Sequence, residues 1–340
     1  MSAADFNDDG AAAAVRGHDP GQWGYSMANF AELMLPVLEA AGARTVAEVG
    51  AFAGDLTEVL VEWAEPLGVA IAAIDPLPQP ALEELAGRHP DLELIRKTSA
   101  EAFRDMEMPN AIVIDGDHNY HTVSQELETI AGRSGGAKMP LLLFHDVCWP
   151  HGRRDSFYAP ERVPADERGP IAADTTIFPG EPGTGGGGLP YPFTAAQEGG
   201  PRNGVLTAIE DFVASQPGMR LAVMPMFFGF GVAWYEDAPW AGRVAALVEP
   251  WDRQPILTRL EANRVFHLAN QMRTQMKLEE AQGQVLVLRN RVEELEAVLR
   301  GIRSSRVFDL ASRVTSLRGR GSSWEEQIDR ALGGGGRSSG

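Results

Sequence analysis

"TVAEVGAFAGDLTEVLVEWA", residues 45–64, is the stretch on which the fold turns. Val46 to Val49 reads as a short apolar strand, Gly50 to Gly54 as a glycine turn, and the chain from about Asp55 as a helix. The same alternation repeats downstream. "VAIAAID" (69–75), "LELIRKT" (92–98), "AIVID" (111–115) and "PLLLFHD" (140–146) are strands, with "PALEELAGRH" (80–89) and "HTVSQELETIAG" (121–132) as helices among them. Short continuous apolar strands alternating with helices imply a parallel sheet covered on both faces, because each crossover lays its helix on the sheet. Upstream, "GYSMANFAELMLPVLEA" (24–40) carries apolar residues at helical spacing and stops at Gly42. Residues 150–203, which include "GEPGTGGGGLPYP", show no clear period and read as a long loop, either functional or disordered. A helix returns in "NGVLTAIEDFVAS" (203–215). In "RLAVMPMFFGFGVAWY" (220–235) two apolar runs flank Gly229 and Gly231 as in a tight hairpin, which predicts a closing antiparallel strand. The expected fold class is doubly wound α/β.

From about Ile256 the pattern is helical without a break. Leu278, Ala281, Val285, Leu288, Val292, Leu295, Leu299 and Ile302 alternate spacings of three and four, the a/d repeat of a coiled coil. This stripe either pairs with further copies of the chain, as dimer or trimer, or lies on its own domain. A basic amphipathic segment, "SSRVFDLASRVTSLRGR" (304–320), follows, and the end "GGGGRSSG" has a disordered composition. The organisation expected is a mobile segment 1–25, a catalytic domain 26–250 containing the loop 150–203, a helical coiled-coil extension 255–320 and a disordered tail 321–340.

Bulk properties narrow the function. The 340 residues are 44% hydrophobic and 23% charged, ordinary values for a globular chain with one large core and an appendage. Net charge is -17, yet residues 251–320 hold 13 Lys and Arg against 8 Asp and Glu, so the acidity belongs to the first 250 residues. Such a body repels a phosphate backbone, which argues against nucleic acid as substrate. No stretch approaches the ~20 apolar residues of a membrane span, and "MSAADFNDDG" is acidic where a signal peptide is basic, so the cytoplasm is the expected compartment. The single cysteine, Cys148, excludes an internal disulfide and a cysteine zinc cluster and reads as a small buried side chain.

The glycine turn lets backbone approach a ligand that a Cβ would keep away. Glu48, Gly50, Phe52 and Gly54 make up the candidate cradle. Asp75 ends the next strand 25 residues after Gly50, the spacing at which a carboxylate accepts hydrogen bonds from the ribose hydroxyls of an adenosine ligand. A dinucleotide fits less well, since G-x-G-x-x-G is absent and Glu48 would repel a pyrophosphate. That carboxylate suits a ligand with a positive end, such as the amino group of S-adenosylmethionine. Ser99, in "TSAEAF", falls either beside an adenine ring or at a helix N-cap.

With these residues the sequence resembles the class I S-adenosylmethionine-dependent methyltransferases, from about Ala28 to Tyr235, including a hairpin like that fold's antiparallel seventh strand. It is most similar to the catechol and caffeoyl-CoA O-methyltransferase type and to macrolide-sugar O-methyltransferases, many of which use a divalent metal. The resemblance implies a Rossmann-like seven-stranded sheet and S-adenosyl-L-methionine as cofactor. In that group a strand-end Asp is followed three residues later by a Lys or His base, as Asp115 is by His118, and the next strand ends in a pair that completes the metal site. Here that pair is His145 and Asp146. The family usually has a carboxylate where His145 stands.

Methyl transfer to an alcohol needs an in-line approach of oxygen to the sulfonium methyl and a group to take the proton. Asp115 and Asp146 on adjacent strand ends would hold Mg2+ or Mn2+, which lowers the pKa of a bound hydroxyl, and His145 as a ligand would favour softer ions. His118, or His145, is the candidate base. Asp115 also falls among the cofactor-facing residues. Asp117 reads as a turn residue and His121 as a helix first-turn residue. Arg153 and Arg154 suit an anionic or polyhydroxylated acceptor or lie on the surface, and Trp23 and Tyr25 line the acceptor pocket or pack in the core. The sequence therefore leads to an O-methyltransferase for a small hydroxylated acceptor, a sugar or secondary metabolite, with homo-oligomer formation through the C-terminal helix. Two alternatives stay open: a metal-independent enzyme with a His base, and a non-catalytic cofactor-binding scaffold that recruits partners.

Overall fold

A computed structural model describes residues 24–134, 139–317 and 323–333. Trp23 and the segments before and after these ranges lie outside the described residues. The described residues hold nine strands: β1 (Thr45–Val49), β2 (Ala70–Ile74), β3 (Leu92–Ile95), β4 (Ala111–Ile114), β5 (Leu141–His145), β6 (Ile171–Ile177), β7 (Leu189–Ala195), β8 (Met219–Met224) and β9 (Phe230–Tyr235). Seven of them form one sheet in the order β3-β2-β1-β4-β5-β9-β8. β1 to β5 pair in parallel, and β9 runs antiparallel between β5 and β8. The chain order reverses direction at β1, whose neighbours are β2 on one side and β4 on the other. Open α/β sheets bind ligands outside the carboxyl ends of the strands at such a switch point.

Helices α1 (Ala31–Ala41), α2 (Asp55–Ala64), α3 (Pro80–Arg88), α4 (Ser99–Asp105), α5 (Tyr120–Ser134), α6 (Val205–Ser215) and α7 (Ala241–Val248) cover the sheet. The two-residue period of the strands divides the core. Val46, Ala73, Val113 and Leu143 meet α1, α2, α3 and α7 through Met34, Leu60, Leu82 and Val244. Ala47, Ile74, Ile112 and Leu142 point the other way, onto α4, α5 and α6 through Phe103, Leu127 and Ile209. Each such fully buried aliphatic side chain contributes about 1.5–3 kcal/mol, so both layers are fixed by the strands' own pattern. Gly42, left-handed, ends α1 where the sequence predicts.

Two expectations change. Residues 150–203 are not structureless: β6 and β7 pair antiparallel as a separate two-stranded sheet, joined by the glycine-rich stretch. Pro190 and Pro192 lie within β7, whose outer edge bonds Asp155 and Phe157 through Ala195 and Phe193. Gly231 is not in the β8–β9 turn but in β9, opposite Phe144. The turn itself uses Phe227 and Phe228, both at positive φ (47° and 68°), before Gly229.

The helix expected from about Ile256 is α8 (Pro255–Arg303), followed by α9 (Arg306–Leu317) and α10 (Ser323–Gly333). The chain divides into two compact units, Met1–Arg273 and Thr274–Gly340, so the boundary falls inside α8. In the first unit, Val265, Leu268 and Ala269 of α8 pack with Ile177, Phe178, Leu189 and Phe228. In the second, α8 exposes Val285, Leu288, Val292, Leu295 and Ile302 along one stripe and carries ion pairs such as Arg289–Glu293 and Arg300–Glu296. Among the described residues no helix is long and apolar enough to cross a membrane.

Candidate active site

The carboxyl ends of β1, β4 and β5 converge. Gly50 takes φ +85°, and a Cβ there would sit 2.1 Å from the Asp115 carbonyl oxygen, so the turn after β1 passes the end of β4 only as glycine. Gly54, also left-handed, is the N-cap of α2. Asp75, at the end of β2, accepts the Phe52 N–H on one carboxylate oxygen at 2.9 Å and the Leu77 N–H on the other at 2.7 Å. These bonds lock the β1–α2 turn to the end of β2 and leave each oxygen one further lone pair. Glu48 is buried, and the Thr57 hydroxyl donates to it at 2.6 Å. Burial raises its pKa to about 8 despite that bond, with the charges of Asp115, Asp55 and Asp75 adding to the rise. The free protein therefore holds Glu48 largely neutral at pH 7, and a cationic group beside it would draw it back to the carboxylate.

At the other wall stand Asp115, His118, His145 and Asp146. Asp146 adopts φ +56°, a left-handed conformation that aspartate tolerates better than most residues. His118 Nε2 lies 3.0 Å from Asp146 Oδ2 and 3.5 Å from Asp115 Oδ1. His145 Nδ1 lies 3.2 Å from Asp115 Oδ1, and its Nε2 faces the Phe227 carbonyl at 3.0 Å. Both ring nitrogens of His145 thus face acceptors, which requires the doubly protonated imidazolium. Its pKa is accordingly raised to about 9: burial opposes the charge, but Asp115 and Asp146 outweigh it. His118 is raised as well, for the same balance of burial against Asp146 and Asp115. The Asp115 carboxyl moves well down, since the two imidazoles overcome its own burial. Ligand atoms of Asp115, His145 and Asp146 lie within 4.8 Å of one another, as do those of His118, Asp146 and His151.

Glu48, Gly50, Phe52, Asp115, His118, His145 and Asp146 line one cavity of about 560 Å3, so the structure brings both halves of the predicted site together. Gly54, Asp75 and Ser99 are not among its lining residues. The N-cap of α4 is Thr98, which forms a capping box with Glu101, while Ser99 sits in the first turn. Arg153 and Arg154 do not reach the cavity. Arg153 binds Thr207 and Glu210, and the fully buried Arg154 donates to the carbonyls of Ala195 and Pro182. Asp117 accepts from Thr122 and from the Tyr158 N–H, a turn role. Burial pushes the Cys148 thiol to about 12, which removes it as a nucleophile.

Tyr25, expected at the acceptor pocket or in the core, lines this cavity, but sequence reasoning assigned no role to the rest of the far wall. His151 stacks on His118 with ring centroids 4.5 Å apart. Its Nδ1 is 3.0 Å from the Ser156 hydroxyl and its Nε2 3.2 Å from the Tyr191 hydroxyl on β7. Burial pushes its pKa down to about 3, so it is a neutral, fixed ring. Tyr158, Phe193 and Phe228 complete an aromatic lining, with Tyr25 stacked on Phe228 at 5.3 Å. The separation of 40 residues between His151 and Tyr191 leaves no spacing signal to find.

The strand order, the antiparallel β9 and the glycine turn beside the switch point decide the architecture. It is a Rossmann-like methyltransferase fold. No family model matches the sequence, and no curated protein does. Among solved structures, a candidate caffeoyl-CoA O-methyltransferase from Staphylococcus aureus is similar over 61% of this chain and 83% of its own, with 13% identity and a TM-score of 0.39. An S-adenosylhomocysteine-bound methyltransferase from Podospora anserina covers 66% and 85%, at 14% identity and 0.39. A candidate O-methyltransferase from Klebsiella pneumoniae covers 66% and 84%, at 15% identity and 0.39. At these values no site residue is carried over from them, and the methyltransferase fold here stands on its own strand order.

Proposed function

We propose that the chain is an S-adenosylmethionine-dependent O-methyltransferase that acts on a neutral hydroxylated small molecule, a sugar or secondary metabolite, with a divalent ion assisting. One observation carries the reading: a single cavity joins the glycine turn of β1 to His118, whose Nε2 stands 3.0 Å from Asp146. In this reading the sulfonium nucleoside lies over Gly50 and Gly54, with its ribose toward Asp75 and its ammonium toward Glu48. The acceptor oxygen attacks the methyl carbon in line, the carbon–sulfur bond breaks to leave the neutral thioether, and His118 takes the hydroxyl proton. Asp146 and Asp115 stabilise the imidazolium so formed. The aromatic wall of Tyr158, Tyr191 and Phe228 excludes water and orients the acceptor.

The residues at the rim suit a divalent ion. His145 keeps Nε2–H on the Phe227 carbonyl, which fixes the ring and aims Nδ1 at the carboxylates, the arrangement usual for a metal-bound imidazole. Asp115, His145 and Asp146 would hold the ion, and when bound it supplies charge that lowers the pKa of the acceptor hydroxyl. The mixed imidazole and carboxylate donors suit Mn2+ at least as well as Mg2+. Neutrality of the acceptor is supported by the lining, in which no Lys or Arg occurs among the described residues. A second reading, transfer by His118 without an ion, draws on the same His118–Asp146 pair. The exposed a/d stripe of α8 supports self-association with a second copy.

The test is transfer of labelled methyl from S-adenosylmethionine to a panel of polyhydroxylated acceptors, with and without chelator. Label in product that is lost on chelation and restored by Mn2+ supports the metal-assisted reading. Transfer unaffected by chelator supports the second, and absence of transfer to any acceptor refutes both.

A further inference from the structure

We infer that Glu261, near the start of α8, is a positioning residue for His145, acting through the backbone of the β8–β9 turn. Phe227 and Phe228 are consecutive residues at positive φ, and both of their N–H groups point at one carboxylate, as successive N–H groups of a turn do around an anion. The anion here is Glu261: its Oε2 accepts the Phe227 N–H at 3.2 Å and its Oε1 the Phe228 N–H at 2.8 Å. Arg264, one turn on, holds both oxygens of that carboxylate at 2.7 Å and lies over the Phe228 ring at 4.4 Å. The carbonyls of the same two residues face the site. Phe227 C=O accepts from His145 Nε2 at 3.0 Å, and Phe228 C=O accepts the Cys148 N–H at 2.7 Å, two residues beyond Asp146.

Every backbone polar group of the two residues is thereby used, two toward α8 and two toward the end of β5. The conformation is costly for a residue with a bulky side chain and persists where its surroundings over-determine it. Glu261 supplies that determination. The carboxylate is itself buried, and α8 lies beyond Tyr235, where the methyltransferase resemblance ends. The first turns of the long helix are thus a prop for His145 as well as a lead into the second unit. With the turn released, the Phe227 carbonyl leaves Nε2, and the ring no longer holds Nδ1 toward Asp115. The catalytic consequence rests on the methyl-transfer reading above; the geometric one does not.

The experiment compares wild-type protein with Glu261→Gln, which keeps the shape but loses the charge and turns an amide NH2 toward one of the two N–H groups. Long-range proton–nitrogen spectra of 15N-histidine-labelled protein at fixed neutral pH, with His145 assigned by its own substitution, report the state of each ring nitrogen. The expected result is a hydrogen-bonded Nε2–H in wild type that is lost in Glu261→Gln. In turnover, kcat should fall at least tenfold with KM for S-adenosylmethionine unchanged. Ile130→Ala, a core truncation in α5 away from this turn and from the cavity lining, should lower the melting temperature while leaving the imidazole signal and kcat as they were. If Glu261→Gln does not fold, Glu261→Asp, which reaches only one of the two amides, takes its place with an intermediate loss expected. An unchanged His145 signal in a folded Glu261 variant overturns the inference, whatever happens to stability. Should wild type transfer no methyl at all, the functional reading fails while the imidazole signal still decides this one.

Discussion

Replacing Glu48 by Gln separates a buried neutral acid from a surface carboxylate. In the folded chain Glu48 keeps its proton to about pH 8, against 4.5 for an ordinary glutamate. Between those values the unfolded chain binds fewer protons than the folded one, so stability falls as pH rises, and each pH unit is worth about 1.4 kcal/mol. From pH 4.5 to 7 the group therefore costs the folded state about 3 kcal/mol, and about 5 kcal/mol once pH exceeds 8. Glutamine has no proton to lose, and its carbonyl still accepts from Thr57. Denaturant unfolding of both proteins near pH 5, 7 and 8.5 should show Glu48→Gln gaining on wild type by an increment that grows with pH and levels off above 8. Its affinity for S-adenosylmethionine should fall about tenfold or more, since a charge-assisted hydrogen bond to the ammonium is lost, a contribution of about 1.5–3 kcal/mol. A stability difference that does not change with pH would refute the buried-acid reasoning.

His118→Asn should lower kcat by about 10²- to 10⁴-fold, the usual contribution of a positioned base, with the dissociation constant for S-adenosylmethionine unchanged in calorimetry. Because both imidazoles are raised by their carboxylate neighbours, wild-type kcat/KM should climb from neutral toward alkaline pH as His118 loses its proton, and the pH profile should flatten in His118→Asn. Mn2+ must displace the proton on His145 Nδ1, so its affinity measured by electron paramagnetic resonance should rise about tenfold per pH unit until pH approaches about 9. A pH-independent affinity would contradict ligation by His145. Val292→Asp, on the exposed stripe of α8, should reduce the mass found by light scattering to that of a single chain without weakening cofactor binding; an unchanged mass contradicts self-association through that stripe.

The parallel sheet was legible because β1, β2, β4 and β5 are buried on both faces and the crossover helices carry their own apolar stripes, as in 45–64. Asp115, His118, His145 and Asp146 were legible because parallel strands place their C-terminal residues at one edge, so strand ends in sequence become neighbours in space. The β6–β7 hairpin was not, since Pro190 and Pro192 read as strand breakers and its burial follows no strict alternation. His151, held by Tyr191 and Ser156, and Glu261, held to Phe227 and Phe228, depend on contacts across tens of residues. Those contacts come from side-chain packing of irregular segments, which leave no period to read. Arg154 shows the converse: a cation in a loop reads as a ligand for anions, yet here it is buried, donates to the carbonyls of Ala195 and Pro182 and pairs with Glu198.

In the proposed function the bend after β1 cradles a sulfonium nucleoside whose ribose meets Asp75. Titration calorimetry of the purified full chain with S-adenosylhomocysteine tests it most directly. Saturable binding at one site per chain is expected, weakened at least tenfold in Asp75→Ala. No measurable heat at millimolar ligand, or the same affinity in Asp75→Ala as in wild type, would contradict it.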